Sequence, residues 1–145
     1  MAKKLKAYGI CLYKKEFHTM KVLLCKSVNS RNKWGFLKGV AEEFETKEET
    51  ALREFFEESS IEVGKKELEV YFEQTNKTKD IGIFLVNFDK IKGIYKYFGK
   101  EQLFKQYLSC ENSSVKFFNI EELPPIKEKQ TELTKEIINF LRKEK

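Results

Sequence analysis

The spacing of apolar residues changes period several times along the chain, and each change marks an element. Residues 6–13 (KAYGICLY) and 20–26 (MKVLLCK) are short, apolar and rich in strand formers, which predicts a hairpin turning around Glu16-Phe17-His18. Residues 27–33 are polar and loop-like, and lead into Trp34-Gly35-Phe36-Leu37-Lys38-Gly39. The two glycines there predict a backbone that turns tightly or approaches a ligand closely. A helix follows from Thr46, a candidate N-cap, to about Ser59, with Glu48 and Glu49 in its first turn where the helix dipole favours acids. Leu52, Phe55 and Phe56 form an apolar face expected to pack on a core.

Beyond Gly64, residues 67–74, 81–88 and 93–98 read as strands, and the nearly unbroken apolar run of 81–88 belongs inside a sheet. Residues 100–108 carry helical spacing in Leu103, Phe104, Tyr107 and Leu108, and 115–120 is a further short strand. After Pro124-Pro125, residues 128–143 place Leu133, Ile137, Ile138 and Leu141 on one stripe, a packed terminal helix. Interspersed strands and helices able to cover both faces give an α/β class, a three-layer α/β/α sandwich on a mixed β-sheet.

Composition narrows this picture. A chain of 145 residues, 41% hydrophobic and 35% charged, reads as one domain over 1–145 with room for its own core. Cys11, Cys25 and Cys110 are an odd number without metal-ligand spacing, which predicts reduced thiols in a reducing compartment. No secretory signal follows MAKKLKAYG and no stretch approaches a membrane span, so the expected location is cytoplasmic, as monomer or homodimer, with no membrane partner. The net charge is +5 although residues 39–61 are acidic, so positive charge lies elsewhere. That suits a polyphosphate ligand, or it serves solubility alone. His18, the only histidine, is expected to have no catalytic role.

The chemistry starts from Glu54, Glu57 and Glu58, which stand at i, i+3 and i+4 and so share one helix face. Three like charges repel, and a hard cation such as Mg²⁺ or Mn²⁺ would relieve them. The stretch from Gly39 to Ile61 resembles the Nudix box, meeting its pattern at Gly39, Glu45, Arg53, Glu54, Phe55, Glu57, Glu58 and Ile61. Ser60, where the family has glycine, is the single departure. The resemblance implies the Nudix fold, with Glu54, Glu57, Glu58 and the Gly39 carbonyl as metal ligands. It also implies that Arg53 pairs with Glu45 or with a ligand glutamate to orient the catalytic helix.

Two further segments resemble asymmetric dinucleoside tetraphosphate hydrolases. Residues 109–118 (SCENSSVKFF), followed by Glu121-Glu122, match a loop whose glutamate is a metal ligand or general base, which implies that role for Glu111. Asn112 and Val115 replace the histidine and tyrosine of that segment. The run Trp34 to Gly39 resembles Trp-Gly-Phe-Pro-Lys-Gly, with Leu37 in place of proline. Lys38, Arg31 and Lys33 are candidate phosphate contacts, and Tyr95 and Tyr97, alternating with Lys96, are candidate platforms for a nucleobase. The implied activity is metal-dependent hydrolysis of a phosphoanhydride in a nucleoside diphosphate-linked compound, foremost a dinucleoside polyphosphate such as diadenosine tetraphosphate. Removal of pyrophosphate from an RNA 5′ end or from a nucleoside triphosphate is the alternative within the family. A Nudix-fold module that binds nucleotide or RNA without turnover is the alternative from another class, disfavoured by the intact carboxylates.

Overall fold

The computed structural model describes residues 3–144. The first apolar runs form strands β1 (Leu5–Glu16) and β2 (Thr19–Ser27), and the glycine-flanked run after them forms β3 (Leu37–Val40). Helix α1 spans Lys47–Ser59. Strands β4 (Tyr71–Gln74), β5 (Lys79–Asn87), β6 (Phe98–Gly99), β7 (Gln102–Leu103) and β8 (Asn112–Asn119) follow, and α2 (Thr131–Glu144) closes the chain.

The sheet runs β4-β5-β1-β2-β8-β7-β6, with β3 paired to β1 off this path. It is mixed, because β1 and β5 are parallel while β1 meets β2 and β3 antiparallel. β1 pairs with β3 over Ala7–Ile10 and with β2 over Tyr13–Glu16. Each partner takes one half of the strand, and a gap opens between β3 and the far end of β2.

Side-chain alternation builds the layers. Ile10, Leu12, Leu23, Phe84 and Val86 pack with Ala51 and Phe55 of α1, and Cys11, Val22, Leu24, Ile83 and Leu85 pack with Leu133, Ile137 and Leu141 of α2. A helix thus covers each sheet face, the α/β/α arrangement that the resemblance implies. Among the described residues no helix is long and apolar enough to cross a membrane.

Three expectations are corrected. Residues 93–98 are mostly a 3₁₀ turn (Ile94–Tyr97), entered through Gly93 at φ 70°, and only Phe98 begins a strand. Residues 100–108 are not a helix. Lys100 and Glu101 both take left-handed φ and turn the β6–β7 hairpin, and a single 3₁₀ turn (Lys105–Tyr107) follows. Residues 67–74 start in another 3₁₀ turn (Lys65–Glu67), exchange backbone hydrogen bonds with Leu85 at Glu69 and Val70, and form strand β4 from Tyr71. In all three segments aromatic side chains pack in clusters that local spacing does not encode, such as Tyr97 edge-on to Tyr107. On α1, Phe55 is buried as expected, but Phe56 lies 48% exposed on the outer face.

Helix α1 is held at both ends. Thr46 Oγ1 accepts from the Glu49 amide at 3.0 Å and Glu49 returns the contact to the Thr46 amide at 2.9 Å, a capping box. At the other end Ser60 sits at φ 66°, where glycine carries no steric penalty. Ser60→Gly is therefore expected to stabilise the chain by about 0.5–1 kcal/mol. A thermal melt would read this as a rise of roughly 2 °C, and an unchanged or lower midpoint would show that the serine is not strained.

Candidate active site

Residue 53 is the hub of the acidic helix. The Arg53 guanidinium grips Glu45 in two-point fashion, Nε to Oε2 at 2.7 Å and Nη2 to Oε1 at 2.9 Å. Its Nη1 donates to Glu54 at 2.8 Å and to Glu57 at 3.2 Å, and Nη2 reaches the Val40 carbonyl at 3.2 Å. Glu45 also accepts from Thr50 Oγ1 at 2.7 Å. These hydrogen bonds, led by that from Arg53, hold the Glu45 carboxyl down at about 2. The Glu54 carboxylate lies directly over Gly39, where a β-carbon would collide with it. Glycine at that place in β3 is what lets strand and carboxylate meet.

Glu58 points the other way. It is 6% exposed, and its Oε1 accepts from Asn112 Nδ2 at 3.0 Å, with Cys25 Sγ at 3.9 Å. Asn112 reaches it because the β2–β8 ladder pairs Ser27 with Asn112 across a bulge. Burial pushes the Glu58 carboxyl up to about 7, with Glu54 and Glu111 adding to the rise and the Asn112 hydrogen bond opposing it. The Glu54 carboxyl is also raised, chiefly by burial, against the pull of Arg53. Burial and Glu58 push the Cys25 thiol up to about 12, so it is a neutral wall of the site.

Glu58 lies on a cavity of about 380 Å³ in the gap between β3 and the β2–β8 ends. Glu111 and Asn112 line it with Glu58, Phe36 and Cys25 add apolar wall, and Lys38, Lys127 and Gln130 complete the lining. Burial and the neighbouring Lys79 and Lys127 push the Lys38 ammonium down to about 8. One cavity therefore carries both carboxylates and ammonium groups.

The candidate residues divide accordingly. Glu58, Glu111 and Lys38 line the cavity, while Glu54 and Glu57 are drawn to Arg53 on its flank. Arg31 is exposed outside the lining, and Lys33 ion-pairs with Glu128 at 3.9 Å. Tyr95 packs edge-on to Phe88 and Tyr97 borders a separate hollow with Glu62 and Lys66 behind α1. Neither tyrosine reaches the carboxylates, because the strand expected there is a 3₁₀ turn. Sequence reasoning missed Asn112 as the partner of Glu58, and it missed Lys127 and Gln130. Only the departure at Asn112 was a signal.

Among the described residues no three Asp, Glu, Cys or His side chains stand together closely enough to hold a metal ion as they are. The donors still fit a hard divalent cation in kind. They are carboxylate oxygens whose charges raise one another's proton affinity, set against the side-chain-free backbone of Gly39.

The model of the NUDIX domain matches residues 3–140. Among solved structures, the Ap4A hydrolase of C. elegans in a binary complex superposes with a TM-score of 0.65 at 20% identity, over 94% of this chain and 97% of that one. An ADP-ribose pyrophosphatase from Streptococcus suis gives 0.61 at 14% identity, over 97% and 93%. A MutT/nudix family protein from Enterococcus faecalis gives 0.61 at 20%, over 82% of this chain but only 45% of its own length. Among curated proteins no significant match is found.

Proposed function

Since the chain belongs to the Nudix family of pyrophosphohydrolases, we propose that it hydrolyses a phosphoanhydride bond in a dinucleoside polyphosphate, with diadenosine tetraphosphate the foremost candidate. One observation carries the choice of substrate. The two segments that resemble dinucleoside tetraphosphate hydrolases lie some seventy residues apart, yet Phe36 and Lys38 of one and Cys110, Glu111 and Asn112 of the other line the same cavity.

When bound by Gly39, Glu54, Glu57, Glu58 and Glu111, Mg²⁺ or Mn²⁺ would neutralise phosphoryl charge and lower the pKa of the attacking water. The chain's own residues do the rest. Asn112 fixes the Glu58 carboxylate, and Arg53 sets Glu54 and Glu57 from behind. Glu111, exposed on the cavity rim and without an ion-pair partner among the described residues, is the group proposed to take the proton of the attacking water. Lys38 offsets charge that builds on the phosphoryl oxygens as the nucleotide leaves.

An RNA 5′ end is the second reading. Lys26 and Lys116 both lie over the Trp34 ring, at 5.6 and 5.5 Å from its centre, on the strands that lead to the cavity, and form a basic track beside it.

Turnover of diadenosine tetraphosphate, ADP-ribose, nucleoside triphosphates and a 5′-triphosphorylated RNA with Mg²⁺, products resolved, tests the proposal. The expected result is the highest kcat/KM on the tetraphosphate, with mono- and triphosphate products. Activity should vanish in excess chelator and return with Mg²⁺ or Mn²⁺. Binding of these compounds without turnover of any would make the chain a binding module instead.

A further inference from the structure

Two phenylalanines stand out from the core on strained backbone. Phe17 and Phe44 are each 95% exposed, and each holds a left-handed φ, 53° and 66°, that a bulky side chain rarely adopts. Phe17 sits where β1 turns into β2. Phe44 stands in the loop between β3 and α1, and it borders a hollow of about 490 Å³. An exposed ring on such a backbone adds nothing to folding, and strain of this kind gathers at ligand contacts.

Leu5 of β1 and Val40 of β3 line the hollow with Phe44, and both are exposed. Its charged lining is mixed in sign and largely engaged. Lys4 pairs with Asp80 at 2.8 Å, Lys6 stands 3.9 Å from the same carboxylate, and Glu42 stands 3.4 Å from Arg53. Lys3 and Glu43 complete the rim. Such a hollow offers little to a phosphate and suits an uncharged ring, which stacks on an aromatic face whichever base it is.

The hollow also adjoins the candidate active site. Lys38 lines the active-site cavity and Val40 the hollow, and the two share one face of β3 about 7 Å apart along the strand. Leu5 pairs in register with Lys79 of β5, whose charge acts on Lys38. A row of phosphates that leaves the cavity over Lys38 therefore meets Leu5, Val40 and Phe44 next.

We propose that Phe44, with Leu5 and Val40, is the platform for the second nucleobase of a dinucleoside polyphosphate, the base at the end of the polyphosphate away from Glu58 and Glu111. Three exposed apolar side chains are too few for the surface that two copies of the chain would bury in a stable dimer. The assignment rests on the hydrolase reading above for its substrate, and on the exposed ring and its hollow for the base.

Calorimetric titration of the metal-free protein with diadenosine tetraphosphate and with adenosine 5′-tetraphosphate tests the platform without catalysis. The second ligand has as many phosphates, more charge and one base fewer, so lysines alone would favour it. The parent is expected to bind the two-base ligand about tenfold tighter or more, and Phe44→Gly to bring the two within roughly twofold. Phe44→Tyr should keep the preference. Glycine carries no penalty at φ 66°, so Phe44→Gly should also melt roughly 2 °C higher, which a structural role for the ring would not allow. Phe17→Gly, at the other end of β1, is the control: its melting temperature should rise likewise and the preference should stay. In turnover with Mg²⁺, Phe44→Gly should raise KM for diadenosine tetraphosphate more than it changes kcat. Equal affinities in the parent, or a preference that survives in Phe44→Gly, overturns the platform. If the preference survives while Phe44→Gly dissociates an oligomer of the parent, the hollow is a contact between copies instead. A Phe44-dependent preference with no compound turned over leaves the platform standing and removes the hydrolase reading.

Discussion

Glu57→Gln and Glu58→Gln are each expected to lower turnover by about 10²-fold or more while leaving the fold intact. Both substitutions keep shape and remove one negative charge from the proposed metal site. They act from different surroundings. Glu57 is exposed and, among the described residues, hydrogen-bonds through its side chain only with Arg53, so its loss should not move the melting temperature. Glu58 is buried, and a glutamine there can still accept from Asn112 through its carbonyl oxygen. Removing a buried carboxylate whose hydrogen bonds come from a neutral amide and a neutral thiol should leave the metal-free protein no less stable than the parent. Mn²⁺ titration beside the kinetics separates metal binding from chemistry. Full turnover with ordinary Mn²⁺ affinity in either variant would remove that residue from the ligand set.

The largest effect on stability is expected from Arg53→Met. Glu45, Glu54 and Glu57 all converge on this guanidinium, and Glu42 stands 3.4 Å from its Nε. Without it the helix and the loop before it would carry an uncompensated acidic cluster. Breaking a fully buried pair costs about 3–5 kcal/mol, but the Arg53 side chain is 26% exposed, so about 2–3 kcal/mol is the expected loss. A melt should show a fall of roughly 5–10 °C. The pH dependence has a definite sign. Glu45 is held down at about 2, so its contribution to stability is fully present above its ordinary carboxylate range. It is lost as pH falls from about 4.5 to about 2. The parent should lose stability across that window, and Arg53→Met should lose much less. Parallel pH curves for the two proteins would show that the pair adds nothing to folding.

What the sequence determined was what depends on neighbours in the chain. The α1 capping box, the i, i+3, i+4 placement of Glu54, Glu57 and Glu58, the alternation of β1, β2 and β5 and the stripe of α2 follow from periods of two and 3.6 and from one capping residue. The fixed spacings between Gly39 and Ile61 carried the family for the same reason. The local reading failed at residues 93–108, where a left-handed pair at Lys100 and Glu101 makes a hairpin out of what reads as a helix. There aromatic packing outweighs propensity.

The tertiary structure alone decided which way each carboxylate turns. Glu54 lies over Gly39 because β3 pairs with β1, and Glu58 meets Asn112 because β8 pairs with β2 in one register. Gln130 reaches the cavity because its amide caps the Phe36 N–H ninety-four residues away. Such contacts depend on ladder register and layer packing, in which a slip of one residue would send each side chain to the opposite face. No pattern along the chain specifies them, so the lining of the cavity became visible only once the sheet was assembled.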